Sequence, residues 1–341
     1  MSAIPQGAIR FNTDSQRLEF YAQDQWWVMS TDTPNLGTSG DVSVGARGVW
    51  AGGQDVPVVH GDIEYVNIAS TGNSVDFGAN ITTRRRASAF ASSTRMVVNG
   101  GATPSPSSVQ EFLTFSSTGT VTAWGDTLNN SGSCDNAAFG NQTRGITRAG
   151  FTSPGVTGGV MDYCTIASSG NTQDFGDMIN NGDAPGASSN STRGLFGGCF
   201  TGPESGNNVI SFVTIHTLGD AQDFGDLTQA RHSMACAASP TRIVWFSGNN
   251  NIPTFFNTID YVTIATTGNA TDFGDPDLGT STASGVSNCI RGVFAGGYTP
   301  SSVANIQYLN FSTEGDAVDF GDLSIRSGGK GAAASNGHGG L

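Results

Sequence analysis

The side chains best suited to metal binding or nucleophilic work are four histidines, His60, His216, His232 and His338, and five cysteines. Their spacing supports neither role. Zinc sites need Cys or His in closely spaced pairs, and none is present. Asp223-Phe224-Gly225 has the letters of a magnesium-binding triplet, but its relatives recur along the chain, whereas a catalytic triplet is needed once. The recurrent acids Asp177, Asp226, Asp275 and Asp322 lack the dense alternation of a calcium loop. No Gly-x-Ser-x-Gly, paired carboxylates or phosphate loop stands out. The expectation is therefore no catalytic residue, no metal and no cofactor.

What does recur is an arginine opening a short apolar strand: Arg47, Arg95, Arg144, Arg193, Arg242 and Arg291, in steps of 48, 49, 49, 49 and 49 residues. So even a period means one supersecondary unit used repeatedly. Aligned on the arginines, each unit has a Gly-Gly or apolar strand, a variable loop, and a β-branched and aromatic run. Those runs cover residues 63–68, 109–115, 161–166, 210–215, 259–264 and 306–311. A turn follows at Gly72, Gly119, Gly170, Gly219, Gly268 and Gly315, mostly with Asn or Asp next, as a tight hairpin requires. The returning strand carries Phe77, Trp124, Phe175, Phe224, Phe273 or Phe320 before a glycine. A last segment of Ala, Ser and Gly leads to the next arginine and suits strands crowded at a centre. The arginines themselves are expected to pair with acids or carbonyls between strands.

Four antiparallel strands per unit of this length, with 48 glycines and few charged residues, point to an all-β fold: a six-bladed β-propeller. Residues 330–336 resemble the small-residue segments and are expected to supply the innermost strand of the first blade, which would close the ring and remove its sheet edges. A net charge of −13 with only 15 Lys and Arg argues against a nucleic-acid partner. The single basic cluster, Arg84, Arg85 and Arg86, reads as a solvated loop. No run reaches the roughly 18 apolar residues of a membrane helix, and no membrane insertion is expected. No signal peptide is visible at the start, and the odd, unpaired cysteines suit a reduced compartment, so synthesis in a cytoplasm is expected. Cys164 stands where other units have Val or Leu and reads as a small core residue.

The strand order, with Phe where a Trp is usual in Asp223-Phe224-Gly225, resembles the kelch repeat over residues 47–341. That resemblance implies a kelch-like six-bladed ring but no single activity. Copper chemistry of the galactose-oxidase type would need convergent His and Tyr ligands, and none can be assigned, although His232 and His338 could both approach the axis. Residues 1–29 break the pattern. Gly7-Ala8-Ile9-Arg10-Phe11 and Arg17-Leu18-Glu19-Phe20-Tyr21 flank a turn, and Trp26-Trp27-Val28-Met29 offers a third strand. This start is similar to short β modules of bacteriophage virion structural and tail-fibre proteins, especially of marine and cyanobacterial hosts. Such a module cannot bury a core alone and should dock on another virion protein or its own copies, through Ile9, Phe11, Phe20, Trp26 and Trp27. Residues 30–46 read as a linker.

The loops after the second strands differ in length and content, and Phe151, Phe200, Phe255, Phe256 and Tyr298 sit in or beside them. Exposed aromatics there could stack on sugars or seat a protein. The functional expectation is a non-enzymatic phage virion structural protein, present in multiple copies per particle and located on the virion. It would present a fibre, appendage or capsid decoration to a host surface glycan or to capsid and tail proteins. A kelch-fold carbohydrate-active enzyme and a cytosolic protein-interaction scaffold are the alternatives.

Overall fold

A computed structural model describes residues 5, 7–12, 17–28, 46–55, 57–128, 135–152, 156–202, 206–250, 254–325, 329 and 331–341. The chain divides into two units, Met1–Asp41 and Val42–Leu341. All but one of the residues expected to form a linker, and the first turn of the N-terminal module, lie outside the described residues.

The first unit is an antiparallel meander of Ile9–Asn12, Arg17–Ala22 and Gln25–Val28. Gln23 and Asp24, both at positive φ, make its second turn tight. Arg10 pairs with Glu19 at 2.8 Å and lies 4.1 Å over the Trp26 ring, which meets Tyr21 edge-on. Ile9 and Phe11 remain 64% and 58% exposed. The backbone register sets Ile9 beside Phe20 and Phe20 beside Trp27.

In the second unit the described residues form no helix and six four-stranded antiparallel sheets. Each contains one of the repeated arginines. The Arg193 sheet runs Gly186–Ser189, Arg193–Phe200, Gly206–Thr214, Gln222–Asp226, and four others follow the same order. In the Arg47 sheet the first strand is Ala332–Ser335, which pairs with residues 48–51 in the register the other sheets use. A small hairpin, Phe151–Thr152 with Val156–Thr157, is added in one loop.

The small-residue strands are Ser88–Ala91, Ala137–Gly140, Gly186–Ser189, Ala235–Ala238, Ser284–Ser287 and Ala332–Ser335. Each packs against the next in that order, and Ala332–Ser335 packs against both Ser284–Ser287 and Ser88–Ala91. Sheet faces are apolar on both sides because each is covered by a neighbour. The packing is knob on glycine. A Cβ at Gly145 or Gly194 would fall 2.2 or 1.9 Å from the rings of Phe90 or Phe139, each from the small-residue strand of the preceding sheet.

Three kinds of hydrogen bond stitch neighbouring sheets. Each repeated arginine lies 4.6 to 5.3 Å over an aromatic ring of its own third strand, from Tyr65 and Phe112 through to Tyr308. Its guanidinium donates to a carbonyl just past the third strand of the following sheet: Arg47 to Phe115, Arg95 to Ala167, Arg144 to Ile215, Arg193 to Ile264, Arg242 to Phe311 and Arg291 to Ala69, at 2.6 to 3.0 Å. Carbonyls are therefore the partners in every sheet, within the range expected from sequence. A second seam runs from the hairpin glycines: Gly72, Gly170, Gly219, Gly268 and Gly315 donate their N–H to Phe320, Trp124, Phe175, Phe224 and Phe273. The third uses buried polar residues of the third strand. Glu64 accepts from Ser324 and Ile325, Asp162 from Leu128, Asp260 from Thr228 and Gln307 from Leu278.

Each arginine is also set in place from below. Its backbone N–H is accepted by the side chain of Ser92, Asn141, Asn190, Ser239 or Asn288 three residues earlier. For Arg47 the acceptor is Asn336, at 2.7 Å.

The cluster at residues 84–86 is not a solvated loop. Arg84 is buried, donates to the carbonyls of Gly100 and Val109, and pairs with Glu111. Arg231, at the matching place, does the same with Ser247, Thr258 and Asp260. A guanidinium has five donors in a fixed fork, so it can hold a loop by its carbonyls where water is excluded. Burial lowers the Arg84 pKa to about 10, which leaves it charged at neutral pH. Arg85 and Arg86 are bonded to Gln54 and Asp135.

Two substitutions test this frame. Arg193→Ala should cost about 1–3 kcal/mol in urea unfolding, since it removes charged hydrogen bonds and a stacked cation together. A loss below about 0.5 kcal/mol would leave the arginine bridge without stabilising weight. Gly194→Ala should cost about 1–3 kcal/mol by overpacking against Phe139, measured the same way.

Candidate functional site

The chain enters five of the six small-residue strands through one residue in the left-handed region: Arg86, Asp135, Ala184, Ser233 and Thr282, with φ between 51° and 63°. Non-glycine residues avoid this region unless the surroundings enforce it. Here a chain of backbone bonds does so. Asp135 donates its N–H to the carbonyl of Arg86, Ala184 to Asp135, Ser233 to Ala184 and Thr282 to Ser233, at 2.7 to 3.0 Å. Beneath this collar lies a cavity of about 140 Å³ walled by Ala89, Ala138, Ala187 and Ala333. It continues into a second space of about 60 Å³ at the other end of the same strands.

The collar carries charge at one corner. Arg86 pairs with Asp135, and Asp183 lies close by with the buried Arg148. Burial, and then repulsion from Asp135, raise the Asp183 pKa to about 6 against the opposing pull of Arg86 and Arg148. Arg148 donates to the carbonyls of Asn180 and Gly182 at 3.1 Å. Burial and a weaker like-charge effect of Asp174 also raise the Asp162 pKa, although Thr172 and Leu128 donate to its carboxylate.

At the far end, His338 donates from Nε2 to the Ala91 carbonyl at 2.9 Å and accepts the Gly340 N–H on Nδ1. Those two bonds fix the neutral tautomer, and burial lowers its pKa to about 4. Residues 337–341 cross this end, with Gly339 donating to Ala238. His232 is elsewhere, bonded to Ser233 and edge-on to Phe200 at 5.0 Å. His60 sits between Asp55 and Asp62, and His216 contacts Asn141. The two histidines expected near the axis therefore do not converge. Among the described residues no group of three His, Cys, Asp or Glu is placed to hold a metal ion. The thiol of Cys164 is buried, and desolvation pushes it up to about 12, as suits a core residue.

The loop aromatics lie on the collar side, because their strands bridge to its lead-in residues: Phe200 to Asp183 and Tyr298 to Ser281. Phe255 and Tyr298, from neighbouring sheets, meet at 6.0 Å. Phe151 is 36% exposed, while Phe200, Phe255, Phe256 and Tyr298 are half-buried. Instead of projecting as a row, four of the five brace loops and show one flank. In the N-terminal unit Ile9 and Phe11 are exposed, and Phe20 and Trp26 half-buried. The recurrent acids Asp177, Asp226, Asp275 and Asp322 lie in the sheet seams, each donating its backbone N–H to the Asn or Asp after the next hairpin glycine.

These features define an all-β protein built of repeated four-stranded antiparallel sheets. No family model matches the chain, and no curated protein matches it, so that class rests on the geometry alone.

The acid at the collar gives a pH test with a definite sign. Asp183 binds its proton more tightly folded than unfolded, so its favourable contribution is complete below about pH 4 and is lost as pH rises through about 6. Asp183→Asn should raise stability at pH 7.5, by less than the whole shift because solvent reaches the site and screens it, and change it little at pH 4, followed by urea midpoints across that range. The slope from His338 runs the other way: stability is lost as pH falls from about 6.5 toward 4, and His338→Gln should flatten it.

Proposed function

We propose that the chain is a six-bladed β-propeller of kelch-like strand order serving as a non-enzymatic structural protein of a bacteriophage particle. The seam between the Arg291 and Arg47 sheets supports the ring, because it repeats the arginine, glycine and asparagine bonds found between sheets adjacent in sequence: Arg291 to Ala69, Gly72 to Phe320 and Asp322 to Asn73. The N-terminal module tethers it to another virion protein, and the collar face with its loop aromatics meets a host glycan or a neighbouring capsid or tail protein. The observation that carries the tether is a small separate sheet with Ile9 and Phe11 uncovered, under a start that resembles phage modules. An apolar pair left in water on so small a sheet favours a partner.

A carbohydrate-active enzyme is the second reading, favoured by Asp183, whose pKa of about 6 beside Asp135 would suit a general acid. Mass spectrometry of gradient-purified particles should find the chain in multiple copies, and its absence from them would refute the structural reading. Turnover of host polysaccharide that vanishes in Asp183→Asn would instead favour the enzyme.

A further inference from the structure

The contacts between neighbouring sheets are not all alike. Between the Arg193 and Arg242 sheets they are apolar: Ile210 and Leu227 pack with Met234 and Trp245, and the indole lies 2.8 and 2.5 Å from where Cβ atoms on Gly186 and Gly197 would stand. The matching places between the Arg47 and Arg95 sheets hold Ala51, Ile63, Ile81, Ala87, Val98 and Ala332, buried in one cluster. Between the Arg95 and Arg144 sheets they hold Ser88, Asn99, Gln110, Thr127, Asn136 and Thr147, all buried. The backbone register makes the match, since Ser88 pairs with Asn99 and Asn99 with Gln110 as Gly186 pairs with Gly197 and Gly197 with Ile210. Thr147 stands where Trp245 does, and Ser88 and Asn99 take the room that the indole requires glycine to leave.

This polar row is poorly paired. Gln110 Nε2 donates to Asn99 Oδ1, and Asn136 Nδ2 to the Asn99 carbonyl. Ser88 Oγ, Asn99 Nδ2, Gln110 Oε1, Thr127 Oγ1, Asn136 Oδ1 and Thr147 Oγ1 are buried with no hydrogen-bond partner. Each such atom forgoes the bonds it would make to water, whereas an apolar row is penalised by meeting water. Parting the two sheets therefore costs less here. The bonds across the seam agree with that: Gly170 N–H to Trp124 and Thr172 N–H to Asp126 are both 3.1 Å, against 2.7 to 2.9 Å for the matching bonds across four other seams.

We propose that the seam between the Arg95 and Arg144 sheets is a built-in opening, at which the two sheets part locally within the folded protein and let water reach the row. Cys164, buried with Phe90, Val97 and Trp124 in the same seam, is uncovered by that motion. Native-state hydrogen exchange on the full chain compares matched amides of two seams. Gly170, Thr172 and Leu128 donate across this seam and should exchange at least about tenfold faster than Gly268, Ala270 and Thr228, which donate across the seam between the Arg193 and Arg242 sheets. Exchange of both sets at one rate, or of the first set only through global unfolding, would overturn the proposal. Asn99→Ala, Gln110→Ile and Thr127→Leu, combined, install residue types that matching places carry in other sheets, and should bring the two sets within about threefold of each other. Iodoacetamide in native buffer should alkylate Cys164 about tenfold faster in the parent chain than in this variant, and equal rates would overturn the proposal too. Should the variant not fold, the matched amides of the parent chain decide alone.

Discussion

A guanidinium that stacks on a ring of its own sheet and donates to a carbonyl of the next sheet is the interaction on which the repeated sheets depend. The carbonyls beyond each third strand lie past the end of the strand pairing, partly buried in four sheets and exposed in two, and the arginine of the preceding sheet supplies their donor. Arginine meets that need with a charge-assisted bond and covers an aromatic face at the same time. Lysine has no planar fork to do both, which accounts for arginine at all six places in a chain with so few cations. The arginine is in turn fixed by a Ser or Asn at its backbone N–H, so its position is set before the neighbouring sheet arrives.

Much of this was legible in the sequence. The arginine period marked the second strands, the hairpin glycines marked the third turns, and residues 330–336 were expected beside Arg47, where Ala332–Ser335 lies. Two further signals were present and went unread. Ser or Asn three residues before every arginine but Arg47 marks the seat of its backbone, and an aromatic 17 to 19 residues after each arginine marks the ring beneath its guanidinium. The burial of Arg84 was not legible from local composition. Three adjacent arginines look solvated, and it is the loop carbonyls of Gly100 and Val109 and the carboxylate of Glu111, brought over by the fold, that make burial of Arg84 tolerable.

The collar was invisible for a different reason. Its five left-handed residues are Arg, Asp, Ala, Ser and Thr, with no shared chemistry to announce the conformation. What links them is a run of four backbone bonds from each member to the one before it, a property of three-dimensional neighbours alone. The charged corner follows from that placement, since Arg86 and Asp135 come from adjacent repeats and are brought together by the packing of their sheets. The loop aromatics were found by type, but their half-burial reflects contacts such as Phe255 with Tyr298 that cross between units.

Asn336 holding the N–H of Arg47 joins residues 289 positions apart. On a ribosome, the Arg47 sheet must wait with three strands and an open edge while the five later sheets are made and fold in turn. Such a late, distant contact slows the final step of folding, and it exposes Arg47–Asp55 to mispairing with a second nascent chain in the interval. The cell must therefore keep translating polysomes apart, or shield that edge, until the last small-residue strand has left the exit tunnel.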